Sequence, residues 1–193
     1  MATSKPKNWP PCLRYVSAPS HDKDVIATHQ EALKTQAPSI PIVPTSATSL
    51  PCPLVKIQAI TTATHPACGQ CGLFATRDLR PATFIVPYLG RTHTSSTTDP
   101  KSDYDLWLDR EADIAVDASL QGNEARFVND YRGVKDKPNA EFGVGWSEKW
   151  GELVVGFWVL GKAGEKKGAI RKGEEILVSY GKGFWGGRRE EEG

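Results

Sequence analysis

The sequence predicts a mainly β domain made of many short strands, and three observations support this prediction. The 193 residues include 18 Gly and 14 Pro, which interrupt the chain with turns. The apolar runs between these turns are short, and several alternate with polar residues as half-buried strands do. Hydrophobic residues make up 39% and charged residues 24% of the chain, so it can bury a core. We therefore expect one domain with some additional chain and few short helices.

The first part of the chain differs in composition and predicts an extension over residues 1–53. It is rich in Pro, Ser and Thr, which favours a linker or extended chain lying on a surface. One stretch, residues 22–35, has apolar side chains at helical spacing and predicts a short helix. We expect the main domain over residues 54–186 and a charged tail over residues 187–193.

Strand-like runs follow one another from residue 54 onward, with turn residues between them. Two of these runs lie on either side of a short polar connection, so we expect them to form a hairpin: residues 104–108 and 114–116. The full set of predicted strands is 54–60, 72–76, 83–89, 104–108, 114–116, 140–144, 153–160 and 175–180.

The charge and hydropathy of the chain exclude some function classes. The formal net charge is +1, which argues against holding nucleic acid by bulk charge. No apolar run approaches the roughly 20 residues that span a bilayer, and the N-terminal residues lack an apolar signal core. We expect an intracellular monomer that binds neither membrane nor nucleic acid directly, with the nucleus slightly favoured over the cytoplasm.

Cysteine and histidine spacing gives no metal site. Cys68 and Cys71 form at best half of a zinc site, because structural zinc needs four ligands. The sequence therefore predicts no bound metal and, without a signal peptide, reduced thiols. The histidines show no ligand spacing and are interpreted as surface residues: His21, His29, His65 and His93.

The stretch 122–142, GNEARFVNDYRGVKDKPNAEF, is the most informative part of the chain. It is too polar for a core strand, yet Phe127, Val128 and Phe142 make it too apolar for a free loop. We interpret it as an irregular segment pressed into a core with its polar side chains held for a purpose. The plainer alternative is that Asn129 braces a turn, as Asn often does.

Four segments in this order resemble the SET domain of protein lysine methyltransferases. They are GLFATRDL at 72–79, YLG at 88–90, the stretch 122–142, and 172–185, which ends in a Tyr-Gly followed by aromatic residues. The resemblance covers residues 54–186 and is closest to small fungal-type SET proteins. It implies a β-clip fold of short curved sheets whose C-terminal segment threads beneath a preceding loop as a pseudoknot, an exception to the rule that chains are unknotted.

The resemblance implies binding of S-adenosylmethionine and transfer of its methyl group to a lysine amine of a histone or another protein. The implied cofactor residues are Gly72, Leu73, Phe74, Tyr104, Arg126, Phe127, Asn129 and Asp130. Two departures stand out. Gln70 occupies a position where the family usually has glycine, and Asp130-Tyr131-Arg132 replaces the usual His-Ser-Cys after the asparagine.

The resemblance also implies the residues around the reacting amine. Tyr180 and Tyr88 are the catalytic candidates, and their hydroxyls would orient the amine. Phe184, Trp185 and Val178 are the candidates for the substrate-lysine channel, where the small Val178 would leave room for more than one methyl group. Two alternatives remain open: a SET-like protein-binding scaffold without activity, and a β-rich binding domain without a cofactor.

Overall fold

The structure is a computed structural model that describes residues 4–165 and 168–181. It is mainly β, which confirms the predicted fold class. The strands are β1 Arg14–Tyr15, β2 Ser20–His21, β3 Ile42–Val43, β4 Val55–Ala59, β5 Cys71–Ala75, β6 Phe84–Pro87, β7 Arg91–His93, β8 Asp105–Asp109, β9 Ile114–Asp117, β10 Gln121–Gly122, β11 Asn129–Asp130, β12 Ala140–Ser147, β13 Glu152–Val159 and β14 Leu177–Val178. One α-helix, α1 Ala27–Leu33, and three 3-10 turns at Thr45–Thr48, Ser95–Thr97 and Glu124–Phe127 complete the described elements.

The strands form small sheets rather than one large sheet. Two sheets have four strands, in the orders β3-β12-β13-β6 and β2-β7-β9-β8, and three pairs are β1-β10, β4-β5 and β11-β14. Strands β8 and β9 are antiparallel, so the predicted hairpin is confirmed. Large apolar side chains from several sheets, among them Leu73, Ile85 and Phe157, are almost fully buried in the common core.

Three short strands before residue 50 lie along the later sheets. Strands β1, β2 and β3 each pair in parallel with a later strand, β10, β7 and β12 respectively. Helix α1 is shorter than the predicted residues 22–35. The reason is local, because Asp22 accepts from the backbone of Lys23 and Asp24 accepts from Thr94, so both stabilise turns instead of a first helical turn.

The segment 173–180 changes partner halfway along, which explains why β14 is shorter than the predicted strand. Gly173 and Ile176 bond to the backbone of β5, and Glu175 forms a bridge with Phe74. Leu177–Val178 then pairs in parallel with Asn129–Asp130. This segment therefore joins β5 to β11 and brings the two ends of the predicted site together.

None of the helices within residues 4–165 and 168–181 is long and apolar enough to cross a membrane.

Candidate functional site

A polar cleft lies where β5, the turn Glu124–Phe127, β11 and the end of β14 meet. Its volume is about 480 Å³, which lies within the range of roughly 300–1,000 Å³ usual for small-molecule sites. The lining residues are His65, Pro66, Ala67, Gln70, Cys71, Asp103, Tyr104, Arg126, Phe127, Asn129, Asp130, Arg132 and Tyr180. Six of the residues implied by the resemblance thus meet at one cleft: Tyr104, Arg126, Phe127, Asn129, Asp130 and Tyr180.

Asn129 is held at the cleft wall by its amide nitrogen. Its Nδ2 donates to Glu175 Oε1 at 2.8 Å and to the carbonyl oxygen of Cys71 at 3.3 Å. Two acceptors on this side fix the amide orientation, because the side-chain oxygen there would face other oxygens. Among the described residues, no hydrogen bond is made to Oδ1 of Asn129, so that oxygen is an acceptor a ligand can use.

Tyr180 is attached to the same segment at two points. Its hydroxyl donates to the carbonyl oxygen of Val128 at 2.6 Å, and its backbone N–H donates to Asp130 Oδ2 at 2.7 Å. The Asp130 carboxylate also receives the backbone N–H of Arg132 at 2.8 Å and forms an ion pair with the Arg132 guanidinium at 2.7 Å. The parallel pairing of β11 and β14 and these bonds place Tyr180 beside Asn129.

A cation and two aromatic rings form another wall of the cleft. The Arg126 guanidinium carbon lies 4.2 Å from the ring centre of Tyr104 and 5.1 Å from that of Phe127. Arg126 Nε donates to the carbonyl oxygen of Ala118 at 3.0 Å, which fixes the side chain. Stacking on aromatic faces suits a guanidinium and leaves its edge N–H groups for an anion.

Tyr88 lies in the core beside the cleft rather than on its lining. Its hydroxyl donates to the carbonyl oxygen of Tyr104 at 2.6 Å. Burial, followed by the nearby Tyr180 hydroxyl, raises the pKa of Tyr88 well above its usual value. Tyr88 therefore stays protonated at neutral pH.

Among the described residues, four others implied by the resemblance lie outside the cleft lining: Gly72, Leu73, Phe74 and Val178. Leu73 and Val178 are fully buried in the core, and Phe74 is half-buried on β5. Gly72 faces Glu175, because a Cβ at this position would lie 2.5 Å from Glu175 Oε1. Phe184 and Trp185 are outside the described residues.

Some cleft residues were missed by the sequence interpretation, and two histidines are not where it put them. The side chain of His65 is only 9% exposed and bonds to Glu175 at 2.9 Å, while His93 is fully buried against Asp105. The surface interpretation is therefore wrong for these two residues. No sequence signal marks His65, because its partner Glu175 lies 110 positions away. Within the described part of the chain, no group of three or more potential ligands could hold a metal.

Comparison with known proteins gives structural neighbours only. No protein-family model matches the chain, and no curated protein matches it. Polycomb repressive complex 2 of Chaetomium thermophilum, in an autoinhibited conformation bound to S-adenosylmethionine, is 23% identical over 71% of this chain with a TM-score of 0.50. The apo complex is 23% identical over 69%, and a humanized mutant bound to an inhibitor is 23% identical over 66%, both with TM-scores of 0.50.

These matches cover 16%, 16% and 15% of the neighbours' own chains, so this chain spans about one sixth of their length. Identity at this level establishes the fold alone. The chain has a SET-like fold.

Proposed function

We propose that this chain is an S-adenosylmethionine-dependent protein-lysine N-methyltransferase that acts on a histone or another lysine-containing protein. One observation carries the proposal. Asn129 and Tyr180 come from different segments of the chain, yet they border one cleft. This arrangement suits methyl transfer, because donor and acceptor must be held in line in a place that excludes water.

The residues of the cleft suit the methionine end of the cofactor, which carries an ammonium and a carboxylate. Asn129 Oδ1 can accept a hydrogen bond from the ammonium, because its amide nitrogen already faces Glu175 and Cys71. Arg126, stacked on Tyr104, supplies a cation for the carboxylate. The cleft volume of about 480 Å³ has room for a nucleoside-sized ligand.

The chain's own residues would prepare the lysine amine. S-adenosylmethionine would supply a methyl group bonded to a sulfonium. The Tyr180 hydroxyl donates to the carbonyl oxygen of Val128, and this bond holds the phenol at the cleft, where it would orient the amine. The amine must be neutral to attack, and desolvation lowers a lysine pKa from its usual value of about 10.4.

A SET-like scaffold without methyl transfer is the second candidate. The specific observation in its favour is Asp130, which stands where the SET family usually has histidine. Its carboxylate already binds the Arg132 guanidinium and the backbone N–H of Tyr180. A scaffold of this kind would keep the fold and a protein-binding surface without needing the cofactor.

Ligand-induced stabilisation separates the two candidates. Thermal unfolding is followed with S-adenosylmethionine, with adenosine as the control that lacks the methionine end. The proposal predicts an increase in melting temperature with the cofactor, since a ligand at about 100 times its dissociation constant stabilises by about 2.7 kcal/mol. Labelled cofactor is then incubated with histones and with a protein extract. Absence of both a shift at millimolar cofactor and any labelled lysine would favour the scaffold.

A further inference from the structure

Glu175 is a buried carboxylate with both oxygens bonded to side chains of the candidate site. Oε1 accepts from Asn129 Nδ2 at 2.8 Å, and Oε2 lies 2.9 Å from His65 Nε2. The Glu175 side chain is 7% exposed. A buried carboxylate is expensive unless its oxygens are bonded, so each of these partners stabilises the position of the other.

The hydrogen bonds of His65 define its tautomer. Its Nδ1 accepts from the backbone N–H of Ala67 at 3.0 Å, so Nδ1 carries no proton. The ring proton is therefore on Nε2, which donates to Glu175. A neutral His65 satisfies both bonds, and protonation of Nδ1 would break the bond to Ala67.

Gly72 has no side chain, and the Glu175 carboxylate occupies the space that a side chain at residue 72 would fill. A Cβ at residue 72 would lie 2.5 Å from Glu175 Oε1 and 3.0 Å from the ring of Phe74. The backbone on the other side is also fixed, because Asn139 Nδ2 donates to the carbonyl oxygen of Glu175 at 2.8 Å. The carboxylate is therefore confined between β5 and the cleft.

We propose that His65 is a positioning residue of the cofactor site, acting on Asn129 through Glu175. This inference rests on the proposed function. Glu175 fixes which end of the Asn129 amide faces the cleft. It is the nearer of the two acceptors of Asn129 Nδ2, at 2.8 Å, whereas the Cys71 carbonyl oxygen lies 3.3 Å away. His65 in turn fixes Glu175 Oε2 and thereby keeps Oε1 toward Asn129. Loss of the His65 donor lets the carboxylate turn, and the Asn129 oxygen is then no longer held toward the ligand.

A purely structural role for His65 is the alternative, since it also ties the loop 61–70 to the segment 173–176. Two substitutions separate the roles. Gln places an amide nitrogen near the position of Nε2, so His65→Gln keeps the donor to Glu175 and loses the acceptor for Ala67. Asn mimics Nδ1 instead, so His65→Asn keeps the acceptor for Ala67 and loses the donor to Glu175.

The test measures the dissociation constant of S-adenosylmethionine by calorimetry for the full chain and these variants. We expect His65→Asn to weaken binding about tenfold, which corresponds to about 1.4 kcal/mol, while His65→Gln stays within about threefold of the wild type. His29→Asn is the matched control, because His29 does not line the cleft, and it should bind as the wild type does.

A second measurement needs no cofactor. The side-chain amide protons of Asn129 are followed by NMR, and we expect faster hydrogen exchange in His65→Asn than in His65→Gln. Equal affinity and equal Asn129 exchange in the two variants would overturn the inference while leaving the proposed function in place. If the wild type binds no S-adenosylmethionine, the proposed function fails and the inference fails with it.

Discussion

Asp130 holds two segments of the candidate site together through its carboxylate. Its carboxylate binds the backbone N–H of Tyr180 at 2.7 Å and is paired with Arg132 at 2.7 Å. A carboxylate in this position accepts two backbone N–H groups and a guanidinium, which a histidine could not do. Asp130, at the position where the resemblance implies a histidine, therefore links β11 to the backbone of Tyr180.

Replacing Tyr180 with Phe tests the proposed role of its hydroxyl. Phe keeps the ring but removes the bond to Val128 and the hydroxyl that would orient an amine. We expect methyl transfer to fall by about 100-fold, the low end of what a positioned catalytic group contributes, while the cofactor dissociation constant changes little.

Single-turnover methylation and calorimetry measure the two quantities separately. Tyr131→Phe is the matched control, because Tyr131 does not line the cleft, and it should leave both nearly unchanged. Unchanged turnover in Tyr180→Phe would remove this hydroxyl from the mechanism.

At the residue scale, the sequence indicates residues that belong to a recognisable pattern, but not residues that folding brings together from distant positions. Asn129, Arg126 and Tyr180 belong to segments with a family-like order, and the structure places them at one cleft. His65 has no such pattern. Its role depends on Glu175, which is 110 positions away, and no local periodicity encodes a contact of that range.

At the scale of elements, strand β1 and the chain before it support the turn Glu124–Phe127 that leads into the site. The Tyr15 hydroxyl donates to Glu124 Oε2 at 3.1 Å, and the ring of Trp9 makes edge contacts with Tyr15 and Phe127. Burial, then the charge of Glu124, raises the pKa of Tyr15 far above its usual value. The phenol therefore remains a donor to this buried carboxylate.

Trp9→Ala should destabilise the protein and loosen the cleft wall at Phe127. Trp9 is 8% exposed, and truncation of a buried Trp costs about 3–5 kcal/mol. Urea unfolding measures the loss. Trp107→Ala is the control, because Trp107 is 38% exposed and its ring faces the Arg110 guanidinium at 5.0 Å, so its loss should be under about 1 kcal/mol. A loss in Trp9→Ala as small as about 1 kcal/mol would show that the packing of Trp9 adds little stability.

Asp24 joins the start of α1 to the 3-10 turn Ser95–Thr97. Its Oδ2 accepts from the backbone and hydroxyl of Thr94 at 2.9 and 2.8 Å and from the hydroxyl of Thr97 at 2.7 Å. Burial alone would raise the pKa of Asp24, but these hydrogen bonds outweigh it and lower the pKa to about 2.

This lowered pKa predicts acid sensitivity. A carboxyl group whose pKa is lower in the folded than in the unfolded chain stabilises above the unfolded value of 3.8, and this contribution is lost as the pH falls toward about 2. We expect Asp24→Asn to reduce the free energy of unfolding at pH 6 and to reduce its decline between pH 4 and about 2. Urea unfolding across this range measures both. Asp136→Asn, on an exposed turn, should leave the decline unchanged.

Strand positions follow from the sequence where the alternation of apolar and polar residues decides them. They follow less well where one segment pairs with two different strands. The β8–β9 hairpin follows from apolar runs around a turn. The predicted strand 175–180 reads as one strand, yet the segment 173–178 bonds first to β5 and then to β11. Nothing in a run such as Ile176-Leu177-Val178 indicates which neighbour each residue will choose.

For the whole molecule, the pairing of residues 14–43 with later sheets predicts one cooperative unfolding transition. Strands β1, β2 and β3 each pair with a different later strand, so unfolding either part exposes the edges of the other. Tryptophan fluorescence and far-ultraviolet circular dichroism should report coincident transitions in urea. Two separated transitions would instead indicate that residues 1–53 fold as an independent unit.

The cleft is made by bonds that bridge long stretches of chain: 46 positions from Asn129 to Glu175, 52 from Val128 to Tyr180 and 110 from His65 to Glu175. A short peptide that contains only one of these segments lacks the partners that make such a surface. Apparent affinity for any cleft ligand therefore falls with the fraction of molecules in the native state, so a remote substitution that unfolds half of them doubles the measured dissociation constant.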